Sequence, residues 1–261
     1  MSYSRNKTYS TKKKSKDDVK LTTKGYVVFI ENGESTKKYS RQDIPNGSAF
    51  FNGTTTSKIT TSGSSDESLQ LGTGSFTIEW WQKLATGAPF GPRVFQQPRQ
   101  LGVTPFEVIM AGDSTSRQFI IQIGTTTTIG NITGSLNDTW NHFAIVRSTG
   151  GQLKVYRNGV QFGSTTTRGV NLIFTGSITI GNRASGTATD AFSGSITNFH
   201  WLKGVEKYTA SFTPTGPLSP ISGSSALLLL TTTSASLSID SSGYNKTMIN
   251  TDTSFVRDSP F

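Results

Sequence analysis

Between Trp140 and Gly159 the chain reads WNHFAIVRSTGGQLKVYRNG, two runs of alternating apolar residues joined by a glycine turn. Trp140, His142, Ala144 and Val146 project to one side of the first run, and Phe143, Ile145 and Arg147 to the other. Leu153 and Val155 return beside it, and Asn158-Gly159 then closes a tight hairpin, because a type I′ turn needs positive φ at both central residues. The next strand, Val160 to Phe162, follows at once. Short strands with apolar residues on both faces need cover on both sides, which predicts two sheets packed as a β-sandwich. Sandwiches of this kind serve binding more often than catalysis.

From Gly47 onward the pattern continues as strand and turn: SAFFNG, SKITT, SFTIEWWQK, RVFQ, FEVIM, RQFIIQIG and TTTIGNITG. No stretch holds a helical period over three turns, so helix content is expected to be low. Abundant threonine suits strands with wetted outer faces. Ala85 to Thr104, with Pro89, Pro92 and Pro98, is expected to be the longest loop. At 261 residues the chain is long enough for one large all-β domain. The longest apolar run, Ala226 to Leu230, predicts a buried strand and is too short to span a bilayer. No apolar segment follows the basic N-terminus, so no secretory signal peptide is expected. The absence of cysteine excludes disulfides and thiolate-bound zinc.

Charge is concentrated at one end. Residues 1–24 carry eight Lys/Arg against Asp17 and Asp18, a net of +6 out of +9 for the whole chain. The basicity therefore belongs to a tail, which argues against a nucleic-acid-binding fold with a broad positive face. Residues 1–24 are expected to form a basic extended arm, disordered in isolation. Residues 25–45 are expected to hold a hairpin from Tyr26 to Tyr39, turned on Asn32-Gly33, and a linker around Pro45. The arm admits three readings: a solvated tail, a clamp on an acidic partner subunit, or contact with nucleic-acid phosphates. Docking on a partner is the expected one, with Arg5, Lys7, Lys12, Lys13, Lys14 and Lys16 as the anchoring cations and nucleic acid the least expected partner.

The ordered set FTIEWW (76–81), WNHFAIVR, YRNG, SITIGN (177–182) and FSGSITNF (192–199) resembles laminin-G-like, concanavalin A-like jelly rolls over roughly residues 47–221. The segments that follow, GVEKYTASFTPTGPLSP, SALLLL, DSSGYN and FVRDSPF, resemble the type found in virion and tail-associated proteins of large algal viruses and marine phages. The resemblance implies an all-β, two-sheet antiparallel sandwich over residues 46–261, used for assembly or surface attachment. In the usual order SALLLL, DSSG and the last strand precede SAFFNG; here they come last. Residues 222–261 therefore read as circularly permuted strands, which either close their own sandwich or complete a neighbour's by strand exchange between copies. Self-closure is the expected outcome, because sandwich termini tend to lie close together.

Catalytic chemistry finds little support. Glycoside hydrolysis needs two facing carboxylates, and the strand FTIEWW carries only Glu79, which reads as a polar outer residue. His142 and His200 read as packed sheet residues, and GTGS at 72–75 is a loop before a strand, not a phosphate cradle. No catalytic residue and no required cofactor are expected. Calcium, which takes oxygen ligands from loops, would fall to Asp113, Asp138 or Asp190. Aromatic rings that could stack on sugars are Trp81, Trp201 and Tyr208, while Tyr208 and Phe212 are also expected to cover a sandwich end. These readings together predict a non-enzymatic structural virion protein, anchored by its arm to other virion subunits. The alternative is an extracellular carbohydrate-binding adhesin for host glycans.

Overall fold

A computed structural model describes residues 46–261, apart from 64–65, 99–105, 114–115, 124 and 175, together with three strands nearer the N-terminus. Those three, β1 (Asp18–Leu21), β2 (Tyr26–Glu31) and β3 (Glu34–Ser40), form a small antiparallel sheet in that order. β2 and β3 pair from Tyr26 opposite Ser40 to Glu31 opposite Glu34, the expected hairpin, with its Asn32-Gly33 turn outside the described residues. β1 corrects the expectation of a bare arm over residues 1–24. Asp18-Val19-Lys20-Leu21 alternates charged and apolar residues, and Val19 pairs opposite Phe29. The six anchoring candidates Arg5, Lys7, Lys12, Lys13, Lys14 and Lys16 lie outside the described residues.

Residues Asn46–Phe261 form a unit of their own, built as a two-sheet sandwich in which every strand pair is antiparallel. One sheet has seven strands. In spatial order they are β10 (Thr125–Ile132), β9 (Arg117–Ile123), β8 (Phe106–Gly112), β7 (Arg93–Gln97), β14 (Thr179–Ile180), β5 (Lys58–Thr61) and β17 (Met248–Thr251). The other has eight: β13 (Val160–Thr167), β12 (Gln152–Arg157), β11 (Asn141–Arg147), β6 (Phe76–Leu84), β15 (Ser193–Lys203), β4 (Ser48–Asn52) and β18 (Thr253–Val256), with β16 (Ser225–Leu229) also paired to β15. Among the described residues the only helical turns are short 3-10 segments at Glu67–Leu69, Ala188–Asp190 and Ala235–Ser238. None is long and apolar enough to cross a membrane.

Alternation explains the core. Phe76, Ile78, Trp80 and Leu84 of β6 and Phe143 and Ile145 of β11 point inward to meet Phe106, Val108 and Met110 of β8 and Phe119 and Ile121 of β9. Trp80 lies at the centre, stacked on Phe143 at 5.8 Å and on Phe119 at 6.2 Å. Burying each such apolar side chain contributes about 1.5–3 kcal/mol before conformational entropy is counted. In β15 the alternation is reset by a bulge between Thr197 and His200, where Asn198 takes a left-handed φ of 54°. That one extra residue turns Phe199 and Trp201 inward with Ile196 and leaves His200 on the outer face.

The C-terminal strands close the chain's own sandwich. β16 pairs β15, β17 pairs β5, and β18 pairs β4 with Val256 opposite Ser48. The DSSG loop is organised by Asp240, whose carboxylate accepts from the backbone N–H groups of Leu228, Ser242 and Lys246.

A further layer lies on the outer face of the eight-stranded sheet. All of β11 is buried, because its outward residues Ala144 and Val146, with Tyr156 of β12, are covered by Tyr208 and Phe212 of the strap formed by residues 204–220. The strap therefore covers a sheet face and not, as expected, a sandwich end. It is tied to the Asn158-Gly159 turn, where Phe212 N–H donates to Gly159 O at 2.9 Å.

Candidate functional site

Three loops converge at one rim of the sandwich and enclose an open cleft of 270 Å³ lined by Thr86, Gly87, Ala88, Phe90, Asp113 and Asn137. Phe90 sits between Pro89 and Gly91-Pro92 in the β6–β7 loop and is 69% exposed, the most exposed of the large apolar side chains described. An aromatic ring held in water by rigid neighbours loses burial energy that a ligand can restore.

Backbone clamps hold this loop in place. Arg117, buried at the start of β9, donates to the carbonyls of Pro89 at 3.2 Å, Met110 at 3.0 Å and Ala88 at 3.2 Å. Gly112 N–H donates to Phe90 O at 2.7 Å, and Met110 N–H to Pro92 O at 3.0 Å. Gly112 has φ +104°, and a Cβ there would stand 2.0 Å from the carbonyl oxygen of Ser116, so only glycine fits. Across the cleft Thr86 donates its hydroxyl to Asp138 at 2.5 Å, while Asp138 N–H donates to Leu84 O at 2.7 Å. Asn137 Oδ1 is buried without a hydrogen-bond partner in the structure. The cleft thus offers a fixed aromatic face beside the exposed Asp113 carboxylate, whose Oδ1 accepts from Ser116 N–H at 2.9 Å, a combination suited to a ring that carries hydroxyl groups.

Two buried polar networks sit elsewhere. Glu79, on the outer face of β6, is fully buried, which overturns its reading as a polar outer residue. Alternation placed it correctly on the outer face, but the strap covers that face. Its carboxylate meets His142 Nε2 and His200 Nδ1, each at 3.3 Å, and accepts from Lys207 Nζ at 2.5 Å and the Tyr208 hydroxyl at 2.7 Å. The two histidine contacts are off line for hydrogen bonds. Burial pushes the Glu79 carboxyl up, but His142, His200 and Lys207 outweigh it and hold the group well below the usual carboxylate range. Burial and the adjoining Glu79 charge push the Tyr208 phenol up. On the outer face of the seven-stranded sheet, buried Glu107 accepts from Arg183 at 3.0 and 3.1 Å and from Gln96 at 3.0 Å, and Arg93 joins Asp190 at 2.5 Å. Both networks consume their carboxylates in ion pairs.

The residues singled out from sequence fall as follows. Trp201 is fully buried against Phe95 and Phe106 and presents no face to a sugar. Tyr208 is stacked on Phe212 at 3.5 Å and bonded to Glu79, so its ring and hydroxyl are both occupied. Trp81 is half-buried, with His142 and Phe261 against its ring. All three were candidates for stacking on sugars and are engaged in packing: Trp201 in the core, Tyr208 as part of the covering strap, and Trp81 beneath Phe261. Asp190 is buried in its arginine pair, while Asp113 and Asp138 are exposed at the cleft. Among the described residues no group of three His, Asp or Glu side chains is placed to hold a metal ion. The GTGS loop offers carbonyls, not amides: Arg147 donates to Gly72 at 2.6 Å and Gly74 at 2.5 Å. The cleft itself was missed. Its signal was a phenylalanine set between prolines, in a loop too constrained to reach the core.

A family model described as the concanavalin A-like lectin/glucanases superfamily matches residues 47–205. Among solved structures the chain is similar to a putative carbohydrate binding protein from Bacteroides ovatus, at 13% identity, covering 88% of this chain and 68% of that one with a TM-score of 0.57. It is also similar to a heptameric SAP-like pentraxin from Limulus polyphemus, at 16% identity over 66% and 79% of the two chains with a TM-score of 0.46. A sialidase CBM40 from Ruminococcus gnavus, bound to α2,6 sialyllactose, is 13% identical over 63% and 93% of the chains with a TM-score of 0.44. No curated protein matches.

Proposed function

The chain belongs to the concanavalin A-like lectin/glucanase superfamily, and we propose that within it this protein is a non-enzymatic binding protein that takes a glycan in the rim cleft. The observation that carries the reading is Phe90, exposed beside Asp113 on a loop clamped by Arg117. A sugar ring stacked on Phe90 would regain buried area while its hydroxyls donate to the Asp113 carboxylate. Clamping matters because a loop already ordered loses little entropy when a ligand arrives. Catalysis is disfavoured by the state of the strand carboxylates: Glu79 and Glu107 are both sealed in ion pairs, so neither is poised as an acid or nucleophile.

A glycan array probed with the full chain, followed by titration of the best ligand, tests this reading. Phe90→Ala should weaken that ligand by roughly tenfold, the loss of one stacking contact. Unchanged affinity in a folded Phe90→Ala chain would remove the cleft as the site.

A second reading rests on the +6 charge of residues 1–24: the arm anchors the protein in a virion, where the jelly roll is displayed. Deleting residues 1–16, which hold the six candidate cations and leave β1 in place, should then abolish incorporation while glycan binding and sheet content are retained. Particles that incorporate the shortened chain at the native level would count against anchoring.

A further inference from the structure

Beyond β18, residues 257–261 return across the outer face of the eight-stranded sheet and fill a groove made by Trp81, Lys83 and Trp140. Asp258 pairs with Lys83 and accepts from Trp140 Nε1–H at 3.1 Å. The Lys83 ammonium also lies over the Trp140 ring, 5.7 Å from its centre. Three residues on, the Phe261 ring meets Trp81 edge to face at 5.9 Å. Gly216 of the strap walls the far side, where a Cβ would stand 2.2 Å from that ring, so glycine leaves the space the phenylalanine takes. The groove therefore reads an acid followed three residues later by an aromatic.

The manner of attachment is informative. The strand ladder ends with Val256 opposite Ser48, and no backbone hydrogen bond among the described residues ties 257–261 to the sheet. Only side chains hold the segment, through one ion pair whose partners are 25% and 39% exposed, the Trp140 hydrogen bond and one aromatic contact. Exposed pairs of this kind contribute little, and elements with few buried contacts open before the rest of a domain. The segment is nonetheless shaped in advance, since the Ser259 hydroxyl accepts from Phe261 N–H at 3.3 Å and donates to Phe261 O at 3.1 Å. Burial pushes the Asp258 carboxyl up, but Lys83 and Trp140 hold it below its ordinary value, consistent with a charged, directed contact.

We propose that the Trp81–Lys83–Trp140 groove is a peptide-docking site whose occupant, Asp258 to Phe261, can come from a second copy of this chain, so that reciprocal exchange of these segments links two molecules. Within one molecule the segment occupies its own groove because tethering gives it a high local concentration. Exchange between molecules would remake the same contacts, and reciprocity would close a two-fold dimer.

Charge reversal separates exchange from simple packing. Lys83→Glu in one full-length chain and Asp258→Lys in another each place like charges within a molecule, while a mixture restores an opposite pair in both grooves upon exchange. Sedimentation should show the mixture as a dimer at concentrations where either variant alone is monomeric, an association at least roughly tenfold tighter than self-association. The chain carrying both substitutions should sediment as the native chain does, since its pair is restored in either arrangement. A mixture of folded variants that sediments as monomers overturns the proposal. Should either variant lose its sheet signal, the native chain is titrated with an acetylated Arg-Asp-Ser-Pro-Phe peptide. A saturable change in tryptophan emission, lost when the peptide's phenylalanine becomes alanine, supports docking; no change overturns it.

Discussion

Replacing Glu79 with alanine is expected to destabilise the sandwich by about 3–5 kcal/mol, the usual cost of breaking a buried charge cluster from one side. The carboxylate is the shared partner of His142, His200, Lys207 and Tyr208, and its removal leaves Lys207 and the two imidazoles against an apolar sheet face. The strap should loosen first, because Lys207 and Tyr208 are two of its attachments to that face. Urea unfolding followed by tryptophan emission measures the loss. A change under about 1 kcal/mol, the worth of an exposed pair, would mean that the network is solvated and not sealed. The pH dependence has a definite sign. Glu79 is held below its ordinary value of about 4.3, so its contribution is present in full above that pH and is lost as pH falls through the folded value. Glu79→Gln should therefore flatten the acid limb of the stability profile, besides lowering stability at neutral pH.

Gly159→Ala is the second large effect, expected at about 3 kcal/mol from left-handed strain combined with overpacking. Gly159 has φ +79°, and a methyl there would stand 1.7 Å from the carbonyl oxygen of Phe212. The substitution strains the hairpin turn and pushes on the strap that the turn supports. Thermal unfolding would register the loss, and hydrogen exchange should place early opening at residues 204–220. Exchange confined to the hairpin, with the strap as protected as before, would show that the two are not coupled.

The hairpin from Trp140 to Phe162 could be read from sequence because it carries its own information: alternation sets the faces, and Asn158-Gly159 sets the turn. Alternation names a face without saying what covers it. That is why Glu79 was read as a polar outer residue and Trp81 as a candidate for sugar stacking, although His142 and His200 were rightly placed as packed. The cover of Glu79 comes from a strap more than a hundred residues later and that of Trp81 from Phe261, and no local pattern announces either pairing. Trp201, a candidate for sugar stacking, is turned into the core by the bulge at Asn198, which shifts the register of β15 by one residue and leaves only a weak mark on a sequence. β1 was lost within a basic tail because four residues give too short an alternation to outweigh the surrounding lysines. The rim cleft draws one residue or a few from each of three loops, so its assembly depends on the fold. The aromatic between prolines was the one part of it open to inspection.

The placement of β17 and β18 bears on how the protein is made. These last two strands lie side by side in sequence around Asp252, yet one pairs β5 and the other pairs β4. During synthesis β4 and β5 emerge near the beginning of the sandwich and must wait, each with one edge open, until almost the whole domain has left the ribosome. Pairings this distant in sequence close slowly, and open edges invite the wrong neighbours meanwhile. Nascent chains interrupted before residue 248 should thus be the aggregation-prone species, dependent on chaperones until the last two strands lock both sheets at once.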